Sequence, residues 1–263
     1  MRCPLIYSLA LSFTLASSAG ASQPREVRVP LVIDKGVLFV KAGVDGSRPM
    51  LFIFDPGAAS YITRYGAAQL RPSDERTLAV GSIAITEQLP VLKGDPMQLD
   101  PKHDERLGQI AGTIGSELLN RLVVRIDYRH HEMTLLNPSD FQPPKTDGLS
   151  LRIDPYGVPS IPAAVNGVRG PFELDVRAPS SMLFTPFAQS LGFRVSQMEK
   201  RRVSSVRIAG WEQTNVPVWI SNATSGKFAA HTPLGLLGND VLDAYVVTFD
   251  YHRGMAYLEP DAR

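Results

Sequence analysis

Short apolar runs, separated by Gly, Pro, Asp and Asn, fill the chain from Val27 onward. Few segments keep the 3.6-residue period of an amphipathic helix, so the pattern predicts a mostly β protein. The predicted strands of the first part are Val29–Ile33, Val37–Val44, Met50–Phe54, Leu78–Ile85, Leu122–Tyr128 and Glu132–Leu136. Those of the second part are Ile161–Val165, Phe172–Leu174, Val203–Ile208, Val216–Ile220, Tyr245–Tyr251 and Met255–Leu258. Short helical patterns cover Thr63–Leu70 and Thr185–Gly192.

One predicted strand ends in an acid. Met50–Phe54 has the length and composition of a buried strand, and Pro56-Gly57 forces a turn straight after it, so Asp55 lies where the strand leaves the core. A carboxylate at that place is costly unless it is hydrogen-bonded. Taken alone, Asp-Pro-Gly is typical of an ordinary β-turn with Asp at its first position. A second copy of the pattern further along favours a functional interpretation.

The chain repeats itself in three ordered places. An apolar residue, Asp, two variable residues, Ala, a variable residue and Ser occur in Phe54–Ser60 and in Leu174–Ser180, an offset of 120 (175 − 55). At an offset of 123 (250 − 127), Gly112–Leu119 and Val123–Tyr128 match Gly235–Leu242 and Val246–Tyr251. A weaker match pairs Leu89–Val91 with Val216–Val218. The repeats predict a duplicated unit of about 120 residues, and two copies predict two facing lobes rather than a solenoid.

Each half resembles a lobe of the retropepsin-like and pepsin-like aspartic peptidases, and the whole is similar to bacterial exported members with two lobes in one chain. In that family a strand ends in Asp-Thr/Ser-Gly-Ala/Ser, and an apolar-apolar-Gly motif follows later. Here these motifs read Asp55-Pro56-Gly57-Ala58 with Thr113-Ile114-Gly115, and Asp175-Val176-Arg177-Ala178 with Leu236-Leu237-Gly238. The resemblance covers nearly all of the mature chain, and it implies two tandem lobes related by pseudo-twofold symmetry.

The resemblance also implies an activity and a division of the chain. Asp55 and Asp175 would be the catalytic pair of an aspartic-type endopeptidase, sharing a proton and activating a water that attacks the peptide carbonyl. Gly57, Ala58, Arg177, Ala178, Gly115 and Gly238 would support them, and Thr77–Thr86 would be the flap of the first lobe. The expected N-terminal lobe covers residues 22–140, a linker 141–150 and the C-terminal lobe 151–263. A peptide or protein substrate is the expected partner.

Both acid motifs depart from the family pattern. Pro56 and Val176 replace the Thr or Ser whose hydroxyls would clasp the two loops, and Arg177 replaces the second Gly. A guanidinium within about 4–6 Å would lower the carboxylate pKa values by roughly 1–3 units. Two interpretations therefore stay open, an endopeptidase with an acid-shifted optimum and a catalytically inactive relative that binds peptide or a partner protein in the groove. A third is a dimer in which the first lobe supplies half of an intermolecular pair.

The first 21 residues predict a secretory signal. Arg2 precedes an apolar run over Leu5–Ala16, and Ala19-Gly20-Ala21 is a small-residue cleavage site. An uncleaved anchor is the alternative, but the run is shorter than a bilayer requires. We therefore expect an exported protein, periplasmic or secreted, without stable membrane insertion. The single cysteine, Cys3, lies in this signal, so the mature chain is expected to have neither a disulfide nor a thiol nucleophile.

The remaining composition excludes several classes of function. A formal net charge of +1 argues against a nucleic-acid partner. His130-His131 is typical of a solvated hairpin turn, because no ligand-spaced partner follows, so no metal is expected. The sequence contains no Gly-x-Ser-x-Gly elbow and no phosphate-loop or dinucleotide fingerprint, so no cofactor is expected. Asp127 and Asp250 are expected to be structural, and Gly94–Gly108 to be a polar surface loop. The oligomeric state is left open.

Overall fold

The computed structural model describes residues 26–92, 109–155 and 157–261. The predicted signal over residues 1–21 and the predicted loop Gly94–Gly108 lie outside them. The described protein is mostly β, with 48% strand and 11% helix, which confirms the predicted class. No described helix is long and apolar enough to cross a bilayer.

We call residues 26–140 the N-terminal half. Its strands are β1 (Glu26–Asp34), β2 (Val37–Val44), β3 (Met50–Phe54), β4 (Tyr61–Ile62), β5 (Arg76–Val80), β6 (Ile83–Glu87), β7 (Ile110–Ile114), β8 (Val123–Asp127) and β9 (Glu132–Leu136). Its helices are α1 (Arg64–Ala68) and α2 (Ser116–Leu119).

Residues 141–261 form the C-terminal half. Its strands are β10 (Leu149–Ser150), β11 (Arg152–Ile153), β12 (Pro159–Val165), β13 (Val168–Leu174), β14 (Met182–Leu183), β15 (Glu199–Ile208), β16 (Trp211–Ile220), β17 (Gly235–Leu237), β18 (Tyr245–Asp250) and β19 (Met255–Pro260). Its helices are α3 (Thr185–Ser190) and α4 (Asn239–Leu242), with a short 3₁₀ turn over Lys227–Ala229.

Local sequence explains where these elements begin and end. The β1–β2 hairpin turns on Lys35 and Gly36, which have φ of 49° and 78°, and two consecutive positive φ values are typical of a type I′ turn. Helix α1 begins after Thr63, whose hydroxyl accepts a hydrogen bond from the Gly66 amide at 3.1 Å. The predicted strand Leu78–Ile85 is instead two strands, because Gly81 adopts a φ of 59° and reverses the chain.

The strands form two sheets. The larger has the order β10-β19-β18-β8-β9-β1-β2-β3-β7-β4, with β5 paired to β2 and β6 to β5. The smaller has the order β11-β12-β13-β17-β14-β16-β15, and an additional β12–β15 pairing closes six of its strands into a barrel. Antiparallel pairing of β8 with β18 joins the two halves within the larger sheet. The predicted linker begins with buried Phe141, whose ring centroid lies 5.9 Å from that of Tyr257, and it ends in β10.

Each half contains a parallel strand pair whose first strand ends directly before an acid. In the N-terminal half β3 pairs with β7, and in the C-terminal half β13 pairs with β17. Phe54 and Leu174, the last residues of β3 and β13, are at most 1% exposed. The residues that follow these strands therefore emerge directly from the apolar core.

Candidate active site

Asp55 and Asp175 lie at equivalent strand ends. The Asp55 amide donates to the Ile114 carbonyl at 3.0 Å, and the Asp175 amide donates to the Leu237 carbonyl at 3.0 Å. Each bond extends the parallel pairing by one residue past the end of the strand, so it fixes the backbone of the acid. The short strands β7 and β17, which the apolar pattern did not predict, are therefore what positions the two acids.

Backbone amides hold both carboxylates. Asp55 Oδ1 accepts from the Gly57 amide at 3.0 Å. Asp175 Oδ1 accepts from the amides of Arg177 and Ala178, both at 3.0 Å. The amides of Ala58 and Ala178 each donate to the backbone carbonyl of their acid at 3.1 Å, but only Ala178 also reaches the carboxylate. The turn after each acid thus orients its side chain, with two donors on Asp175 and one on Asp55.

The glycine of each apolar-apolar-Gly motif packs directly against an acid loop. A Cβ on Gly115 would overlap the Ala58 carbonyl oxygen, and one on Gly238 would lie 2.9 Å from the Ala178 carbonyl oxygen and closer still to Ser180. The next residue of each motif donates its amide to the same alanine carbonyl, at 2.9 Å from Ser116 and 2.8 Å from Asn239. No larger residue than glycine fits there without displacing the loop.

In each half a serine and an acidic residue form hydrogen bonds that fix the end of the acid loop. Ser60 donates its amide and hydroxyl to Glu117 Oε2, and its Oγ accepts from the Gly115 amide at 2.9 Å. In the other half Ser181 donates in the same way to Asp240 Oδ1, and its Oγ accepts from the Gly238 amide at 2.9 Å. The sequence comparison matched Ser60 with Ser180, and that match is wrong by one position. The loop after Asp175 is one residue longer, which a comparison without gaps could not reveal.

Arg177 connects the two acids. Its backbone amide binds Asp175, while its Nε lies 3.1 Å from Asp55 Oδ2, an ion pair across the two halves. The Asp175 charge raises the pKa of Asp55, so the two carboxylates interact electrostatically. The structure therefore brings the two acids named by the repeat into one site.

The pKa of Asp55 is raised above its ordinary value of 3.8. Burial is the largest cause, since its side chain is only 13% exposed, and the Asp175 charge adds to it. Arg177, the Gly57 amide and Lys227 act in the opposite direction. The expectation that Arg177 would leave this carboxyl with a lowered pKa is wrong, because desolvation outweighs the ion pair.

Sequence reasoning missed a second ion pair at the site. Glu173 lies on β13, two residues before Asp175, and is 2% exposed. Lys227 Nζ lies 2.7 Å from its Oε2. Burial raises the pKa of Glu173, whereas the bond to Lys227 lowers it. One sequence feature could have pointed to this ion pair. Glu173 is charged, whereas the residue at the equivalent strand position of the other half (173 − 120) is the apolar Ile53.

Three further residues, Tyr251, Tyr128 and Asn239, connect the acid loops to the opposite half. Tyr251 Oη donates to the Pro56 carbonyl at a long 3.4 Å. Tyr128 Oη donates to Asn239 Oδ1 at 2.7 Å, and Asn239 Nδ2 donates to the Val176 carbonyl at 2.6 Å. Pro56 and Val176 are the two residues that follow the acids, so both loops are held at the same backbone position.

The segment Thr77–Thr86 forms a hairpin, but not one that covers the site. Its turn packs on β1, since a Cβ added at Gly81 would lie 2.7 Å from a Val27 methyl and 2.8 Å from a Val29 methyl. The contacts of this turn are therefore with the N-terminal strand, far from the end at which the acids emerge.

Strand register gives the distance along β2 between the level of Asp55 and the level of this hairpin. Pairing of β2 with β3 places Asp55 level with Val37, whereas pairing of β2 with β5 places Val80 opposite Ala42. Five residues (42 − 37) along an antiparallel strand correspond to about 16 Å. The expectation that this hairpin is a flap over the acids is wrong, because its strands are too short to reach them.

Asp127 and Asp250, the other singled-out acids, lie at strand ends and bind the turns that follow. Asp127 Oδ1 accepts from the His130 amide at 2.9 Å, and its Oδ2 lies 2.9 Å from His130 Nδ1. Asp250 accepts from the Arg253 amide at 3.1 Å in the corresponding turn of the other half. Within residues 26–92, 109–155 and 157–261, no group of three or more His, Cys, Asp or Glu side chains could hold a metal ion.

Comparison with known proteins adds no assignment. No family model matches the sequence, and no curated protein matches it significantly. The interpretation of the site therefore depends on its geometry.

Proposed function

We propose that the protein is an aspartic-type endopeptidase with two duplicated lobes, exported after removal of its signal, and with Asp55 and Asp175 as the catalytic pair. The observation that carries the proposal is the meeting of two strand-terminal carboxylates, one from each half, in a single charged site. Such a pair cannot easily ionise twice, so it retains one proton at acid pH and can both accept and donate protons.

The register of the β8–β18 pair supports the duplication. Arg125 lies opposite Thr248, and these two residues are equivalents at the repeat offset of 123 (248 − 125). Val246 lies opposite Asp127, and the repeat converts this pair into Val123 opposite Asp250, which has the same register. Equivalent residues face each other in this way when a twofold axis relates two copies of one unit.

In the proposed mechanism a water molecule binds between the two carboxylates. One carboxylate removes a proton from the water as it attacks the peptide carbonyl, and the other carboxyl donates a proton to the carbonyl oxygen. Burial of Asp55, which raises its pKa, supports retention of the shared proton in the acid range.

The second candidate function is binding of an extended peptide without cleavage. The observation in its favour is the ion pair between Arg177 and Asp55, which occupies the one carboxylate oxygen of Asp55 that the loop leaves free. In an endopeptidase this guanidinium must move aside. Since the Arg177 side chain is 41% exposed, that movement requires no rearrangement of the core.

Digestion of an acid-unfolded protein at pH 3–7 by the purified chain from residue 22 onward tests the proposal. We expect cleavage in the acid range by the parent, and a loss of at least about a hundredfold in Asp55→Asn and in Asp175→Asn. Absence of cleavage together with peptide binding would support the second function. Cleavage that survives Asp175→Asn would instead indicate an intermolecular pair built from two N-terminal halves.

A further inference from the structure

We propose that Tyr128 and Asn239 are positioning residues that clasp the Asp175 loop to the opposite half, in place of the hydroxyl clasp that Pro56 and Val176 cannot form. This inference deepens the proposed function and rests on it for its catalytic consequence. The residues themselves are placed by hydrogen bonds that exist whether or not the protein cleaves peptides.

Asn239 connects three segments through one side chain. One N–H of its Nδ2 donates to the Val176 carbonyl at 2.6 Å, and the other donates to the Gly36 carbonyl at 2.6 Å. Its Oδ1 accepts from Tyr128 Oη at 2.7 Å. Val176 belongs to the acid loop of the C-terminal half, whereas Gly36 and Tyr128 belong to the N-terminal half. The Asp175 loop is therefore fixed to the other half at the residue directly after its acid.

This clasp is shielded from water. Tyr128 is 6% exposed, Asn239 4% and Val176 fully buried. Burial raises the pKa of Tyr128 well above its ordinary value, and the charges of Asp243 and Asp175 add to that effect. The hydroxyl therefore remains a donor over the whole working range of pH. Buried hydrogen bonds whose partners cannot turn to water hold geometry most strictly.

The Asp55 loop has only a weaker counterpart. The repeat equivalent of Asn239 is Ser116 (239 − 123), whose side chain is too short to bridge two carbonyls. Tyr251, the equivalent of Tyr128, approaches the Pro56 carbonyl directly at 3.4 Å. One acid is thus held rigidly and the other loosely. A shift of about 1 Å in a catalytic group can lower the rate about a hundredfold, so loosening Asp175 should reduce turnover rather than binding.

The test compares Tyr128→Phe and Asn239→Ser with a matched control, Tyr245→Phe. Tyr245 is 2% exposed, and its hydroxyl bonds to Gln213 rather than to an acid loop. We expect Tyr128→Phe to lower kcat about tenfold and Asn239→Ser more strongly, with KM within about twofold of the parent. Tyr245→Phe should lower the Tm by about as much as the two test variants do, and it should leave kcat unchanged.

Amide hydrogen exchange by NMR supplies a measurement that needs no catalysis. In both test variants the Arg177 and Ala178 amides, which donate to Asp175, should exchange at least about tenfold faster, while the Gly57 amide on Asp55 keeps its rate. Equal acceleration at all three amides, or the same kcat loss in Tyr245→Phe, would overturn the inference and indicate simple destabilisation. If the parent cleaves nothing, the proposed function fails, and selective exchange alone decides whether the clasp holds the loop.

Discussion

Replacing Arg177 with Gly restores the residue that the aspartic peptidase pattern has at this position and removes the cation bound to Asp55. The guanidinium lowers the pKa of Asp55 and opposes the effect of burial, so its removal raises that pKa further. A dyad loses activity on the alkaline side when its last proton leaves. The alkaline limit of cleavage should therefore move to higher pH in Arg177→Gly.

The size of the shift follows from the contact distance. Unit charges 3.1 Å apart attract by about 5 kcal/mol at an effective dielectric constant of about 20 and by about 1 kcal/mol in bulk water. Because the Arg177 side chain is 41% exposed, solvent screening places the value near the lower end. We therefore expect a shift of about one pH unit, equivalent to about 1.4 kcal/mol between the two protonation states.

The measurement is kcat/KM against pH for a fluorogenic peptide, together with a carboxyl carbon NMR titration of Asp55. Arg177→Gln separates loss of charge from the added backbone freedom of glycine and should give the same shift. Arg207→Gln removes a surface arginine that pairs with Glu212 at 3.3 Å and should give none. An alkaline limit that stays in place in Arg177→Gly, or moves to lower pH, would refute the electrostatic reasoning, and the titration decides the sign if no cleavage is detected.

Three further predictions concern stability. Burial holds the pKa of Asp55 above 3.8, so the folded state binds more protons than the unfolded state between 3.8 and that pKa, and stability falls as pH rises through this window. Asp55→Asn should remove this fall and raise the unfolding free energy at pH 7, measured by urea denaturation. Lys227→Met leaves buried Glu173 unpaired and should cost about 2 kcal/mol at pH 7, recovered by adding Glu173→Gln. Gly115→Ala should cost about 3 kcal/mol through overlap with the neighbouring loop. Gly57→Ala, whose new Cβ would have no neighbour closer than 3.5 Å, should cost less than about 1 kcal/mol by thermal denaturation.

Strands with long apolar runs could be predicted from the sequence, and strands defined by a distant partner could not. β2, β3 and β9 begin and end at the predicted residues, because their apolar runs are bounded by turn residues. β7 and β17 are only five and three residues long and contain or begin with glycine, which weakens a strand pattern. Their strand conformation comes from parallel pairing with β3 and β13, which are distant in sequence.

The candidate site also has residues that could be predicted from the sequence and residues that could not. Asp55 and Asp175 could be singled out because the repeat marks both positions. Glu173 and Lys227 could not be paired in advance, because 54 residues (227 − 173) separate them and no repeat equivalent exists. The pKa of Asp55 was also beyond sequence reasoning, since the charge of a neighbour can be read from the residue type whereas burial depends on the complete fold.

The two acid loops are held differently. Asp175 receives two amide donors, and its loop is clasped through Asn239, whereas Asp55 receives one amide and a half-exposed guanidinium. The donor that Asp55 lacks is the amide of Ala58, which binds the Asp55 carbonyl, whereas the amide of its equivalent Ala178 also donates to Asp175 Oδ1. Arg177 can leave Asp55 without disturbing Asp175, since only its side chain has to move while its amide stays bound. In the proposed peptidase, protonation of Asp55 weakens the ion pair and leaves Asp175 in place, so acid pH would free the site while one half of the pair remains positioned.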